Sequence, residues 1–398
     1  MVQSLYFWEM CKNSIQINII STDAIPSEFQ FPYSKQFETI LGKLNFMNWE
    51  RLIGNDLQII NYENENKYKI ILKRYSISFN AKNEDGQVDK QKLFNNERIV
   101  NFVNNGLKEF IFSRLASAHP SGVLSYGFYL DYLSDLNILV SELMMENAGY
   151  SLLYLFEEGM LPNIDFIDIF KQIIHMMNYL ESIRVYHSDV KLDNFLIDKQ
   201  GILRIIDYDV SQELGFNTTR SVIYLKALLG YTEGYVAPEI IEFCKNQESK
   251  RIRIRLQFNV WKSDVYSCGI IGLILSGVIK NRKDLQNLDS YKDNPEKHSY
   301  ILDQVDKIDL NDKELSNKIK LVLRTCLDFN PENRLSFRHL NELMRNISNR
   351  PEEEIQILIN KFLKTPIESQ EILYKKIVNL EKIVLRKDKE NENIKNQL

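Results

Sequence analysis

Three polar side chains in residues 185–210 have the types and the spacing to bind a metal ion. Asp189 and Asn194 lie five residues apart, and Asp207 follows two apolar residues of strand type. A hairpin with its turn at Asp198 to Gly201 would bring Asn194 and Asp207 to neighbouring strand ends, close to the loop that carries Asp189. Because Mg²⁺ prefers carboxylate and carbonyl oxygens and keeps some water, the sequence predicts an Mg²⁺ pocket here.

This stretch resembles the catalytic core of the eukaryotic protein kinases. That family has a catalytic loop H-R-D-x-x-x-x-N followed by a metal-binding D-F-G. The matching residues are His187-Ser188-Asp189 with Asn194, then Asp207-Tyr208-Asp209, while Lys191 resembles the serine/threonine-specific branch. The resemblance implies an α+β bilobal protein-kinase-like fold, with a small β-rich N-lobe and a larger helical C-lobe. It also implies Mg²⁺-dependent phosphoryl transfer from ATP to serine or threonine hydroxyls of protein substrates, with Asp189 and Lys191 as catalytic residues.

Later motifs extend the resemblance to about residues 46–347. Ala237-Pro238-Glu239 resembles the A-P-E motif, and this peptide-platform motif disfavours a small-molecule kinase. The resemblance implies that Thr232, shortly before this motif, bonds the catalytic aspartate and lysine. It implies that Asp264 accepts backbone N–H groups beneath the catalytic loop. It also implies that Arg334 pairs with Glu239.

Lys73 closes an apolar run of strand type upstream of the catalytic loop. Strands are predicted at Leu52–Gly54, at Leu57–Ile60 and at Tyr68–Arg74. The resemblance implies that Lys73 binds the α- and β-phosphates of ATP. The alternative is a lysine on an edge strand that points to water.

Apolar residues between Glu97 and Leu115 recur at helical intervals. The resemblance implies that this is the regulatory helix of the small lobe and that Glu109 pairs with Lys73. A shift of one residue in the helical register would put Lys108 in that place, and the ion pair would fail.

The strand Ile138–Leu143 is predicted to enter the hinge between the lobes. By resemblance, Glu142 and Met144 offer backbone groups to the adenine edge, and Leu196 forms the floor of the adenine site. A plain core strand is the alternative. The apolar spacing from Ile164 to Ile183 predicts a buried helix that leads into the catalytic loop.

Several departures from the family pattern favour a second function. Gly54 is all that remains of the glycine-rich ATP-binding loop, and Asp56 and Ile59 stand where later glycines are expected. Ser188 replaces the arginine that clamps an activation-segment phosphate. Asp209 replaces a glycine whose backbone angles would strain an aspartate. The alternative function is therefore a catalytically weak or inactive kinase-fold scaffold or binding module.

A basic insert, residues 245–256, lengthens the segment between Glu239 and Asp264. Its residues Arg251, Arg253 and Arg255 alternate, so an extended chain would carry them on one face. We predict an acidic partner or substrate for this face. A solvated basic loop is the simpler alternative.

Length and composition allow one bilobal domain with flanking segments. The chain has 398 residues, 44% of them hydrophobic, and a net charge of −4, which does not indicate nucleic-acid binding. Its 4 cysteines form no C-x-x-C pair, which suits a reducing compartment, and no apolar run is long enough to span a membrane. We predict a cytoplasmic protein, with the nucleus left open. Its segments are an N-terminal extension (1–45), an N-lobe (46–143), a C-lobe (144–347) and a C-terminal tail (348–398).

Overall fold

The computed structural model divides into two compact units. The first, here called the strand unit, comprises Met1–Leu152 and Asp193–Ser211, and the second, the helical unit, comprises Leu153–Leu192 and Gln212–Leu398. The structure describes residues 19–21, 44–50, 57–64, 69–80, 82–83, 85–86, 92, 96–133, 137–161, 165–213, 222–223, 232–245, 254–255 and 260–364.

The strand unit is built on a six-stranded sheet and one long helix. The sheet strands are β1 (Ile19–Ser21), β2 (Leu44–Glu50), β3 (Leu57–Asn64), β4 (Lys69–Ser78), β5 (Ser125–Leu133) and β6 (Ile138–Glu146). Their order is β1-β5-β6-β4-β3-β2, in which only the β1–β5 pair is parallel. The strand predicted at Leu52–Gly54 lies outside the described residues, and β2 (Leu44–Glu50) is the described strand that precedes β3.

Helix α1 (Glu97–Ala116) packs one apolar face on the sheet. The Asn96 side chain caps it by accepting the N–H of Ile99. Ile99, Val103 and Leu107 are buried together with Leu139 of β6. A Cβ atom at Gly106 would lie 2.8 Å from the Phe128 ring, so the glycine lets the helix approach the sheet.

A predicted hairpin completes the strand unit. The short strands are β7 (Tyr150–Ser151), β9 (Phe195–Ile197) and β10 (Leu203–Ile205), in the order β10-β9-β7. The turn closes through a hydrogen bond from Gly201 N–H to the Asp198 carbonyl, with Gly201 at φ +78°. The prediction of a hairpin with a turn at Asp198 to Gly201 is therefore confirmed.

The helical unit is organised around a helix that is buried on every side. The helices are α2 (Leu152–Glu157), α3 (Phe166–Ser182), α4 (Pro238–Lys245), α5 (Trp261–Leu275), α6 (Arg282–Asn287), α7 (Pro295–Asp306), α8 (Lys313–Cys326), α9 (Phe337–Arg345) and α10 (Glu352–Lys364). All residues of α5 are buried, as expected for a helix without an exposed polar face. Among the described helices, none is both long enough and apolar enough to cross a membrane.

Two short ladders complete the helical unit. Strand β8 (Val185–Tyr186), just before the catalytic loop, pairs with β11 (Gln212–Glu213). Strand β12 (Val222–Ile223) pairs antiparallel with β13 (Ile254–Arg255), which lies in the basic insert. Most of that insert lies outside the described residues, as does the tail beyond residue 364.

Candidate functional site

Lys73 and Glu109 form a buried ion pair in the strand unit. The Lys73 Nζ atom lies 2.7 Å from Glu109 Oε1, and the two side chains are 10% and 2% exposed. Helix α1 therefore presents Glu109, and not its partly buried neighbour Lys108, to strand β4. Strand β4 lies between β3 and β6, so Lys73 is not a lysine of an edge strand, and its side chain meets Glu109 of the helix.

Asp207 shares the same ammonium group. Its Oδ1 atom lies 2.5 Å from Lys73 Nζ. Burial lowers the pKa of Lys73, but Glu109 and Asp207 outweigh that effect and raise its pKa well above the usual value. Burial also raises the pKa of Glu109, and Lys73 opposes that shift. Lys73 is therefore a fixed positive charge between two carboxylates.

Tyr75 adds a group to this cluster that the sequence did not indicate. Its hydroxyl donates a 3.3 Å hydrogen bond to Glu109 Oε2, and Lys73 Nζ lies 5.3 Å from its ring centroid. Burial and then the nearby Glu109 charge raise the pKa of Tyr75, so the phenol stays protonated. Tyr75 thus contacts both members of the ion pair and restricts their side-chain rotation.

Asn194 and Asp207 lie at the open end of the hairpin, just before β9 and just after β10. The backbone N–H of Ile206 donates to the Asn194 carbonyl at 3.0 Å, so the two strand ends are neighbours. Asn194 is buried, and Asp207 has a left-handed backbone at φ +70°. Asp209 is not among the described residues with positive φ, so the strain predicted for it is absent. One carboxylate and one carboxamide are donors that suit Mg²⁺.

Leu196 belongs to an apolar cluster of the strand unit. It packs with Leu143, Met145 and Ala148, all buried, and with the partly buried Ile206. Leu143 and Met145 belong to β6, Ala148 follows that strand, and Ile206 lies directly before Asp207, so the cluster joins the sheet to the segment that carries Asp207. Its role as the floor of an adenine site stays a prediction.

The structure corrects the predicted hinge residues. Strand β6 lies between β4 and β5, and both Glu142 and Met144 have residues opposite them in each neighbour. Their backbone groups are therefore engaged in the sheet and cannot also bind an adenine. The strand continues to Glu146, so Asn147 and Ala148 are the first residues beyond it. The side chain of Glu142 forms an ion pair with Arg74.

Asp189, Lys191 and Thr232 form a second cluster, in the helical unit. Lys191 Nζ lies 2.6 Å from Asp189 Oδ2 and donates to Thr232 Oγ1 at 3.3 Å. The Thr232 hydroxyl donates to Asp189 Oδ1 at 3.0 Å. Both carboxylate oxygens of Asp189 are thereby oriented. Because Asn194 and Asp207 belong to the strand unit, the convergence of all three predicted metal-site residues stays a prediction.

Asp264 supports the loop that carries Asp189. Its Oδ2 atom accepts the backbone N–H groups of His187 and Ser188 at 3.2 and 3.4 Å. Burial raises the pKa of Asp264 to about 8, and these two hydrogen bonds oppose the shift. Ser188 has φ +72°, so the loop has a left-handed residue where the family has arginine.

Arg334 and Glu239 form a bidentate buried pair. Their two N···O distances are 2.6 and 2.8 Å, and the side chains are 0% and 9% exposed. Arg334 also donates to the carbonyls of Asp328, Lys262 and Phe329. The guanidinium group therefore ties the start of α4 to the segment before α9.

Comparison with known families agrees with this geometry. Residues 75–344 match the protein kinase domain family. The chain belongs to the protein kinase family. The predicted bilobal α+β fold is confirmed, because the strand-rich region and the larger helical region are those of a kinase domain. Lys73 lies two residues before the matched range.

Curated relatives of the chain include serine/threonine protein kinases. Over 222 residues it is 25% identical to the probable serine/threonine-protein kinase RTK1 of Saccharomyces cerevisiae, covering 50% of this chain and 34% of that protein. Over 177 residues it is 32% identical to CBL-interacting serine/threonine-protein kinase 8 of Arabidopsis thaliana, covering 44% and 33%. The chain thus spans about a third of the length of these relatives.

Proposed function

We propose that this kinase-family protein is an active serine/threonine protein kinase that uses ATP and Mg²⁺. The buried pair of Lys73 and Glu109 carries the proposal. A binding module has no need of a buried ammonium between two carboxylates, because burying such charges costs free energy unless each is paired. A kinase needs that arrangement to fix a cation for the phosphates.

The strand unit supplies the nucleotide-binding groups in this proposal. Lys73 binds the α- and β-phosphates, and Asn194 and Asp207 are the oxygen donors for Mg²⁺. When bound, Mg²⁺ neutralises charge on the phosphates. Leu196 contacts the adenine from below. The backbone of Asn147 and Ala148, in place of Glu142 and Met144, binds the adenine edge.

The helical unit supplies the acceptor side. Asp189 orients the substrate hydroxyl and accepts its proton, because Lys191 and Thr232 hold its carboxylate in a fixed orientation. Lys191, held against Asp189, also contacts the transferred phosphate. Thr232 fixes the segment that leads to Glu239. The acceptor is a protein substrate. The kinase itself acts in the cytoplasm.

The proposal is tested by transfer of radiolabel from γ-labelled ATP to casein and to myelin basic protein. We expect Mg²⁺-dependent labelling on serine or threonine, detected by phosphoamino-acid analysis. Labelling that persists unchanged after chelation of divalent ions, or that is absent at every enzyme concentration, would contradict the proposal.

The second candidate function is a scaffold with little or no turnover. Asp207, a predicted metal ligand, is already paired with Lys73, and only Gly54 remains of the glycine-rich loop. A measurement of ATP binding would distinguish the active kinase from a scaffold that does not bind ATP.

For the active kinase we expect Mg²⁺–ATP at about 100 times its Kd to raise the Tm by about 5 °C. Lys73→Met should abolish that shift, because it removes the charge between Glu109 and Asp207. Arg74→Met is the matched control, since it removes a cation from the next residue, which pairs with Glu142. An equal shift in wild type and Lys73→Met, measured by differential scanning fluorimetry, would argue against Lys73 as a phosphate-binding residue.

The basic insert is proposed to bind an acidic protein partner or substrate. Reversing the charges of Arg251, Arg253 and Arg255 to glutamate should lower turnover on acidic casein by about tenfold and leave turnover on basic myelin basic protein unchanged or higher. The measurement is initial rate at low ionic strength. Equal rates of wild type and variant on casein would leave a solvated loop as the better description.

A further inference from the structure

A buried lysine and an aspartate, outside every motif of the sequence, hold the backbone of Gly234. The Gly234 N–H donates to Asp289 Oδ2 at 2.9 Å, and Lys292 Nζ donates to the Gly234 carbonyl at 2.8 Å. The same lysine lies 2.7 Å from Asp289 Oδ1. One ion pair therefore satisfies both backbone groups of a single residue.

The environment of the ion pair fixes its geometry. The Lys292 side chain is 0% exposed and its Nζ atom lies 5.4 Å from the centroid of the Tyr266 ring. Asp289 and Lys292 come from the 3₁₀ turn Leu288–Tyr291 and the residue after it. Because the Lys292 side chain is enclosed, water does not compete with its hydrogen bond to the Gly234 carbonyl.

Gly234 itself has little freedom to adopt another position. Its φ is +87°, and a Cβ atom there would lie 2.6 Å from Leu285 Cγ and 2.8 Å from the Leu285 carbonyl oxygen. Side chains are strained at this φ, and the backbone of α6 is too close to give way. The chain is therefore pressed against α6 and bonded to the turn that follows it.

The constraint reaches the acceptor cluster through two residues of backbone. Thr232, two residues before Gly234, donates to Asp189 Oδ1. The Tyr235 N–H donates to the Thr232 carbonyl at 3.4 Å, and the Ser267 hydroxyl donates to the Tyr235 carbonyl at 2.9 Å. The segment from Thr232 to Tyr235 is thus bonded on one side to Asp189 and on the other to Asp289 and Lys292.

We propose that Asp289 and Lys292 are positioning residues for phosphoryl transfer, which hold the segment Thr232–Tyr235 in register with Asp189 and the incoming protein acceptor. This inference rests on the proposed kinase activity. It predicts a defect specific to the acceptor, because the ion pair bonds Gly234 within the helical unit, whereas the proposed phosphate-binding residue Lys73 belongs to the strand unit.

The test compares Lys292→Met and Asp289→Ala with the wild-type protein. We expect kcat/KM for myelin basic protein to fall by about tenfold or more, since displacements near 1 Å can cost on the order of 100-fold in rate. The KM for ATP should stay within about twofold of wild type, because the nucleotide groups are untouched. Gly234→Ala, which disturbs the same segment directly, should give the same pattern.

The matched control removes the neighbouring exposed pair of the same residue types. Lys297 and Asp293 lie 3.5 Å apart, with side chains 54% and 36% exposed. Lys297→Met and Asp293→Ala should leave both kinetic parameters unchanged. The inference would be overturned if Lys292→Met and Asp289→Ala lost activity only in proportion to their unfolded fraction. In that case kcat/KM for myelin basic protein and KM for ATP, corrected for the folded enzyme, would equal those of wild type.

Amide hydrogen exchange of residues 232–237 gives a readout that does not need activity. Exchange should be faster in Lys292→Met and Asp289→Ala than in wild type, and unchanged in the control variants. If the wild type transfers no phosphate, the proposed function fails and exchange alone decides. Unchanged exchange in Lys292→Met would then overturn the role of the ion pair in holding residues 232–235, and faster exchange would support that holding role without a part in phosphoryl transfer.

Discussion

Replacing Asp189 by asparagine is expected to lower phosphoryl transfer by about 100-fold or more, since a positioned general base contributes about 10²–10⁴ to a rate. The variant keeps the size and hydrogen-bonding reach of the side chain but loses its charge and its ability to accept a proton. Lys191 and Thr232, which contact both carboxylate oxygens, should still hold it in place. The measurement is kcat with γ-labelled ATP and myelin basic protein, together with the Tm.

Asp193→Asn is the matched control for this substitution. It removes a carboxylate four residues along the same loop, from a residue with no assigned role in catalysis. Its kcat should stay within about threefold of wild type, a change that corresponds to less than about 1 kcal/mol in the barrier. Equal labelling by wild type and Asp189→Asn would mean that the label comes from a contaminant, and the scaffold function would be favoured.

The catalytic loop and the hairpin could be predicted because their information is local. The polar residues, the apolar strand residues and Gly201 lie within a short stretch, and their spacing alone predicts the turn. The pairing of Glu109 with Lys73 could also be predicted, although the sequence left Lys108 as the alternative residue. The apolar face of α1, with Ile99 and Val103 buried, fixes which side of the helix meets the sheet.

The hinge could not be placed correctly because strand length depends on partners far along the chain. The apolar run that ends at Leu143 looks complete, yet β6 continues to Glu146. Residues of β5, with an irregularity between Ser125 and Gly127, pair with its last part. Such pairing is not visible in the local pattern of β6, so the predicted backbone positions came too early.

The contacts of Asp289 and Lys292 with the backbone of Gly234 could not be predicted for a related reason. Lys292 lies in a polar stretch that resembles a solvated loop. Its spacing of three residues from Asp289 is that of an ordinary surface ion pair. Only the fold shows that Tyr266 and the backbone of Gly234 enclose the ammonium group. A buried lysine without a motif is thus a feature that sequence patterns assign to the surface.

The second large effect is expected on stability, from Glu239→Ala. This change leaves the guanidinium of Arg334 fully buried without its carboxylate, and loss of one partner from a buried pair costs about 3–5 kcal/mol of unfolding free energy. The carbonyls of Asp328 and Lys262 remain as acceptors, so the loss should fall short of unfolding the protein outright. Urea denaturation followed by tryptophan fluorescence measures it.

The exposed pair of Arg324 and Asp306 separates burial from ion pairing as the cause. Its N···O distance of 2.6 Å equals the shorter distance in the Arg334 pair, but its side chains are 40% and 56% exposed. Asp306→Ala should therefore cost at most about 1 kcal/mol, because water already screens the attraction and solvates the arginine left behind. Equal losses of unfolding free energy in Glu239→Ala and Asp306→Ala would show that the burial of Arg334 does not strengthen the effect of its ion pair on stability. A much larger loss in Glu239→Ala would instead assign the stabilising effect of Glu239 to the desolvated charge that it neutralises.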